Sequence, residues 1–271
     1  MSQTIWVGAV AYDPKVVTIW EGIKDYFNAR EIAMDFILFS NYDAQVDALI
    51  DGWIDIAWNT NLAYVKVHRR TGGKCGVLAM RDVDVGFTTK IIAAASSNIH
   101  SIRDLKGKRI ALGSRDSGQA AILPAYFLKQ NGIDTDKDTN TIRFDLDVGK
   151  HGDTGTSEVE VLRAVAAGQV DAGAIGDQYW ARALSENLVD SGKVRAIWTS
   201  PEYCHCNFTV RTKEDEQQFS EWTDALLAMD YNKPAERKIL EMEGLKRWVR
   251  PQLQGYSVLF DAVDELQFFK N

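Results

Sequence analysis

One motif occurs twice, once in each half of the chain, and limits the fold more than any other feature. The first copy runs Val46-Asp47-Ala48-Leu49-Ile50-Asp51-Gly52-Trp53-Ile54-Asp55-Ile56-Ala57-Trp58. The second runs from Val161 through Gly168-Gln169-Val170-Asp171 to Ile175. Both read as an amphipathic helix, a glycine stop, one linking residue, and a buried strand opening with an apolar residue and Asp. Glycine just past a helix end supplies the left-handed cap, and a short apolar run after it suits a parallel strand. Each strand then enters a polar turn, Asn59-Thr60-Asn61 in one copy and Gly176-Asp177-Gln178 in the other. Polar loops at the carboxyl ends of parallel strands are where open α/β sheets bind ligands. The duplication predicts two similar lobes whose loops turn toward a shared cleft.

The 271 residues suffice for two α/β lobes, each with its own core. Ile5 to Val10 and Met34 to Phe39 read as strands, with Val16, Ile19, Trp20, Ile23 and Phe27 at helical spacing between them. Leu62 to Arg69 reads as a helix, and Cys75 to Arg81 and Phe87 to Ala95 as strands. Ser101-Ile102-Arg103-Asp104 carries a capping-box signature. Arg109 to Gly113 is a strand, and Ser114 to Gln119 then opens a helix running through Leu128. Arg143 to Val148 is a strand, and the glycine-rich Gly149 to Gly155 precedes the second repeat. Tyr179 to Asn187 is helical and Val194 to Trp198 extended. The tail reads as helices over Glu216 to Met229, Pro234 to Met242 and Asp261 to Phe269. The predicted division is a discontinuous first lobe, 1–87 plus 205–271, and a second lobe, 88–204. The two crossings make a hinge.

The net charge of −7 leaves no broad basic field for nucleic acid or an anionic membrane. No run approaches the ~18 apolar residues that span a bilayer, so no membrane insertion is expected. The start of the chain lacks the charged and apolar stretches of a secretory signal. That predicts a cytoplasmic protein if the chain is complete as given, and a periplasmic or lipid-anchored one if a leader has been removed. Cys75, Cys204 and Cys206 do not form a disulfide framework.

The chain resembles the type II periplasmic solute-binding proteins, in particular the phosphate/phosphite/phosphonate branch serving ABC transporters. Val7 to Pro14, Gln45 to Leu49 with Asp55 to Trp58, Ile102 to Ala111, Gly113 to Leu123 and Gly168 to Ala172 carry the resemblance. It implies an α/β fold of two lobes, each a mixed, mostly parallel sheet flanked by helices. It also implies a monomeric binder of a small polar solute, such as a phosphonate- or phosphate-like oxyanion. The partner would be the membrane subunits of a transporter, and no cofactor is implied.

Site residues follow from the loops. Ser114, Asp116, Ser117 and Gln119 lie between a strand and a helix start, where free N–H groups and the helix dipole favour an anion. The resemblance implies that this turn holds the anionic group, although Asp116 stands where relatives tend to place a hydroxyl. Thr154 and Glu158 sit at the next helix start, Glu158 where phosphonate binders often have a histidine; nearby His151 reads as a surface residue. Asp177 follows the second repeat strand, where the resemblance implies an acid reading a cationic or hydroxyl end of the ligand. In the first lobe Tyr12, Ser40, Tyr42, Asn59, Thr60 and Asn61 occupy three loops at strand ends. In Cys204-His205-Cys206, an extended strand puts both thiols on one face and His205 on the other, pointing to a hinge ligand and no metal.

The rival reading is a cytosolic enzyme on the same fold, similar to the thiamin pyrimidine-precursor synthase. The segment Asn59-Thr60-Asn61-Leu62-Ala63 lacks the Lys and His those proteins carry after the equivalent strand. A DNA-binding regulator's effector domain lacks its helix-turn-helix segment here.

Overall fold

The computed structural model describes residues 4–190 and 192–270. β1 (Ile5–Val10), α1 (Lys15–Asn28), β2 (Met34–Phe39), α2 (Tyr42–Ile50), β3 (Ile56–Asn59) and α3 (Asn61–Arg70) alternate at the start, before the short β4 (Gly76–Val77) and β5 (Met80–Arg81). There follow β6 (Thr89–Ala94), β7 (Arg109–Leu112), α4 (Leu123–Gln130), β8 (Asn140–Arg143), α5 (Thr156–Ala166), β9 (Ala172–Gly176), α6 (Asp177–Ser185) and β10 (Val194–Thr199). The last elements are β11 (Asn207–Val210), α7 (Glu214–Gln218), α8 (Ser220–Leu227), α9 (Pro234–Glu243), β12 (Trp248–Val249) and α10 (Ser257–Glu265).

The chain divides into two units. One comprises the residues up to Gly86 with Cys204–Gly255; the other comprises Phe87–Tyr203 with the chain from Tyr256 on. The first unit carries a sheet of order β2-β1-β3-β11-β4, with β1 parallel to β2 and β3, and β11 antiparallel to β3 and β4. The helical spacing seen in α1 drives Ile19, Ile23 and Phe27 into a core with Ile56, Trp58, Phe208 and Trp248. Trp222 stacks on Phe27 with ring centroids 5.0 Å apart, and Phe208 meets Trp222 edge-on. Burying each such side chain contributes ~1.5–3 kcal/mol.

The second unit carries the order β10-β6-β9-β7-β8, with β7 parallel to β8 and β9, and β6 antiparallel to β9 and β10. One face buries Ile91, Ile110, Leu112 and Leu128; the other buries Val161, Val165 and Ile175. In each unit the chain leaves three parallel strands at one edge of the sheet. Those edges hold the polar turns.

The duplicated motif has one structural meaning in both units. The N–H of Trp53 donates to the Ala48 carbonyl (2.9 Å), and that of Gln169 to the Ala164 carbonyl (2.9 Å). These are the six-to-one bonds of a glycine helix stop, with Gly52 and Gly168 at φ of 77° and 68°. The Asp that opens each strand then clamps the neighbouring parallel strand. Asp55 Oδ2 accepts from the Trp6 N–H, and Asp171 Oδ2 from the Arg109 N–H, both at 2.8 Å.

The tail differs from the sequence expectation in three places, the simplest being the last helix, expected over Asp261 to Phe269 and found over Ser257–Glu265. The predicted single helix over Glu216 to Met229 is two, α7 and α8, broken at Phe219 (φ −99°, ψ 21°), whose ring turns into the core beside Trp222. The expectation that residues to 271 join the first lobe is corrected by α10. That helix packs on α4 in the second unit, buries Leu259, Ala262 and Val263, and pairs Glu265 with Lys129 and Gln130. The Cys75 to Arg81 segment forms two two-residue strands in different sheets: β4 beside β11, and β5 beside β12.

Candidate functional site

In the first unit the loops after β1, β2 and β3 carry Tyr12, Ser40 with Tyr42, and Asn59 to Asn61. The chain folds locally by capping. Asn41 caps α2 by accepting from the Ala44 N–H (2.9 Å), and Thr60 caps α3 by accepting from the Ala63 N–H (3.2 Å). Thr60 is thereby committed to the scaffold. Asn61 donates to the Cys204 carbonyl at 3.4 Å. Ser40 is exposed, and its hydroxyl accepts from Asn41 Nδ2 (3.2 Å). Tyr12 is half-buried against the core and Tyr42 fully buried.

Asn59 is different. It is wholly buried, and its Oδ1 accepts from Gln45 Nε2 at 2.8 Å, while the same Nε2 donates to the Trp58 carbonyl at 2.8 Å. That fixes the amide's orientation and turns Nδ2 away from Gln45. Asn59 Nδ2 has no hydrogen-bond partner. Gln45 was not among the residues predicted; the signal that could have found it is a lone amide on the buried face of an amphipathic helix.

In the second unit the turn after β7 is braced from several sides. The Ser114 hydroxyl donates to the Leu146 carbonyl, so it holds the neighbouring loop. Asp116 Oδ2 accepts from the Gly149 N–H at 2.5 Å. The Asp116 carboxylate, expected from sequence as part of the anion turn, is a buried anchor for the glycine-rich loop. Ser117 caps the next helix by accepting from the Ala120 N–H at 3.2 Å. That helix opens with a π turn, Gly118–Ile122, before α4. The N–H groups of its first turn lack partners within the helix, and π turns recur at functional sites.

The glycine-rich loop closes on this helix start. At Gly152 (φ +86°) an added Cβ would lie 2.5 Å from Ser117 Oγ and 3.1 Å from Gln119 Nε2. His151, expected at the surface, is buried: its own left-handed backbone (φ 53°) turns the loop inward. Thr154 instead pairs with Thr156, their hydroxyls 2.7 Å apart.

Glu158 and Gln119 meet next to this turn. Gln119 Nε2 donates to Glu158 Oε2 (3.4 Å), and the Gly176 N–H donates to Oε1 (2.6 Å). Burial pushes the Glu158 carboxyl up to about 7, against the lowering effect of those hydrogen bonds. Ser157, buried beside it, has a hydroxyl without a partner. Asp177 begins α6; its Oδ2 accepts from the Thr88 N–H (3.1 Å) and hydroxyl (2.8 Å), and its buried Oδ1 has no partner. Sequence reading missed Thr88, which sits where the chain enters β6, and Thr89, whose hydroxyl donates to the Gln119 carbonyl (2.7 Å).

His205 stands in the first unit, buried, with Nδ1 3.0 Å from Cys206 Sγ. The expectation that it faces away from the thiols is corrected: residues 204–206 precede β11 and are not extended strand, so neighbouring side chains can converge. Burial pushes the imidazole down to about 4, leaving it neutral at physiological pH.

Comparison with known proteins gives a consistent result. A family model described as an ABC-transporter phosphonate periplasmic substrate-binding protein matches residues 9–256. The chain is 25% identical over 244 residues to a probable ABC transporter phosphite-binding protein, PhnD1, of Prochlorococcus marinus strain MIT 9301, covering 86% of this chain and 78% of that one. The structure of PhnD1 from the same organism, in complex with methylphosphonate, is similar with a TM-score of 0.75 at 22% identity, over 97% of this chain and 98% of that one. A binding-protein component of a Pseudomonas aeruginosa ABC phosphonate transporter gives a TM-score of 0.65 at 18% identity, over 98% and 96%. The two-lobed α/β fold is shared, and the enzyme alternative gains no support. Among the described residues no helix is long and apolar enough to cross a membrane. The chain belongs to the phosphonate substrate-binding protein family of ABC transporters.

Proposed function

We propose that this protein, as a monomer, binds a small singly protonated oxyanion of the phosphonate, phosphite or phosphate class and presents it to the membrane subunits of an uptake transporter. The observation that carries the reading is a set of buried polar atoms without partners at the carboxyl ends of the parallel strands. They include Asn59 Nδ2 and the neighbouring Gln45 Oε1 in the first unit, and Ser157 Oγ and Asp177 Oδ1 in the second. Buried polar groups are nearly always hydrogen-bonded, and the exceptions call for a ligand or water. An amide N–H and a hydroxyl await oxygen acceptors, whereas a carboxylate oxygen awaits a donor. Within the second unit alone, the Ser157 hydroxyl and the Asp177 carboxylate offer the two kinds of contact, and a tetrahedral oxyanion with one P–OH supplies both. The helix start at Ser117 and Gly118 adds a favourable dipole for its charge. The ligands named for the relatives, phosphite and methylphosphonate, have this chemistry.

The test is calorimetric titration with methylphosphonate, phosphite and phosphate. Hydrogen bonds to charged groups are worth ~1.5–3 kcal/mol, about 10- to 150-fold in affinity. Asn59→Ala and Asp177→Asn should each weaken the best of the three by that factor. Absence of heat with all three anions, or unchanged affinity in both variants, overturns the proposal.

A further inference from the structure

The first unit holds a second cluster, which the solute proposal does not use. His205 Nδ1 lies 3.0 Å from Cys206 Sγ and 3.7 Å from Asp84 Oδ1. All three ligand atoms fall within 4.8 Å of one another, and all three residues are buried. They come from two segments, the turn Asp82–Asp84 and the approach to β11, joined where the His205 N–H donates to the Asp84 carbonyl (3.0 Å).

We infer that Asp84, His205 and Cys206 form a binding site for a thiophilic divalent metal ion, with zinc the ion whose preferences they match. One imidazole nitrogen, one thiol sulfur and one carboxylate oxygen are zinc's ordinary donor types. Donors held tetrahedrally at zinc's usual ~2.0–2.3 Å bond lengths are about 3.3–3.5 Å apart. The observed separations of 3.0 and 3.7 Å bracket that span. A thiol–imidazole hydrogen bond accounts for Cys206 alone. Nδ1 carries a single lone pair or a single proton, yet both a sulfur and a carboxylate oxygen converge on it. A cation among the three donors accounts for the convergence.

The surroundings fit a ligand carboxylate held in place. Arg81 donates to both Asp84 oxygens, Nε to Oδ2 at 2.6 Å and Nη2 to Oδ1 at 2.9 Å. Such outer partners orient metal ligands. The guanidinium opposes a cation, but Glu243 offsets it, 3.8 Å from Arg81 on the far side. A dication bound here displaces the Cys206 thiol proton into solvent, and the thiolate and the Asp84 carboxylate face its charge. Three protein donors leave the fourth position to water.

The full chain, stripped with a chelator and shown to be folded by near-ultraviolet circular dichroism, is titrated with cobalt(II) and then with zinc(II). The expected result is one cobalt per chain, with a thiolate-to-cobalt charge-transfer band and intense tetrahedral d–d bands that zinc abolishes. Cys206→Ser and His205→Gln should each weaken binding at least tenfold, while Cys204→Ser and Cys75→Ser bind as wild type. A folded wild-type protein that takes up neither metal overturns the inference, independently of how the variants fold. So does a charge-transfer band that survives Cys206→Ser. Neither outcome bears on oxyanion binding, which is measured without metal.

Discussion

Replacing Glu158 by Gln should make the protein more stable, increasingly so as pH rises. The carboxyl is buried, with its folded pKa raised from 4.5 to about 7. Below about pH 4.5 the group is protonated in folded and unfolded chains alike and costs nothing. Between 4.5 and 7 the unfolded chain releases the proton that the folded chain keeps, so stability falls with rising pH. Above 7 both states are ionised and the full cost stands. At ~1.4 kcal/mol per pH unit, the interval corresponds to about 3 kcal/mol. Gln keeps an oxygen for the Gly176 N–H, and the Gln119 amide can turn over to meet its NH2 group. Urea unfolding of wild type and variant, followed by tryptophan fluorescence at intervals from pH 4.5 to 8.5, isolates the effect, because all other titrating groups cancel in the difference. The variant's advantage should grow by about 1–3 kcal/mol across the range and level off above pH 8. A difference that is flat with pH, or that falls as pH rises, would refute the view that burial dominates this carboxyl.

Two further outcomes check the scaffold. Gly152→Ala forces a left-handed alanine, costing ~1–2 kcal/mol, and pushes a methyl group against Ser117; methylphosphonate affinity should drop at least tenfold while thermal melting shows only a modest loss. Asp55→Ala removes the clamp on Trp6 and should cost about 1 kcal/mol in urea unfolding with solute affinity unchanged, since it lies at the far end of its strand from the polar turn.

The fold was legible because its signals are local and periodic. The spacing of Val16, Ile19, Ile23 and Phe27 matches the face that α1 buries, and the apolar runs Ile5 to Val10 and Met34 to Phe39 coincide with β1 and β2. The errors fall where tertiary packing overrides local pattern. Nothing in residues 216–229 announces that Phe219 leaves helical geometry to bury its ring. The destination of α10 depends on a long-range fit with α4 that no window of sequence contains.

The candidate site is legible in the sequence as a set of loops but not as a set of roles. Ser114, Asp116, Ser117 and Thr60 carry chemistry that could meet a ligand, and the structure commits their side chains to backbone groups. A side-chain oxygen at a helix start serves a cap and an anion site through the same geometry, so sequence alone cannot apportion it. The atoms left over, among them Asn59 Nδ2, Gln45 Oε1, Ser157 Oγ and Asp177 Oδ1, are found only by accounting for every buried partner.

The duplicated motif shows why the division runs this way. What recurs between the halves is the glycine stop and the clamping Asp, and both do the same work in each unit. Asp55 and Asp171 sit at the amino ends of β3 and β9, so the repeat fixes strand position at the edge opposite the polar turns. At the other edge the copies diverge: Asn59-Thr60-Asn61 offers an amide donor, Gly176-Asp177-Gln178 a carboxylate acceptor. The repeat therefore holds strand position constant and leaves the turns free to differ in hydrogen-bonding chemistry.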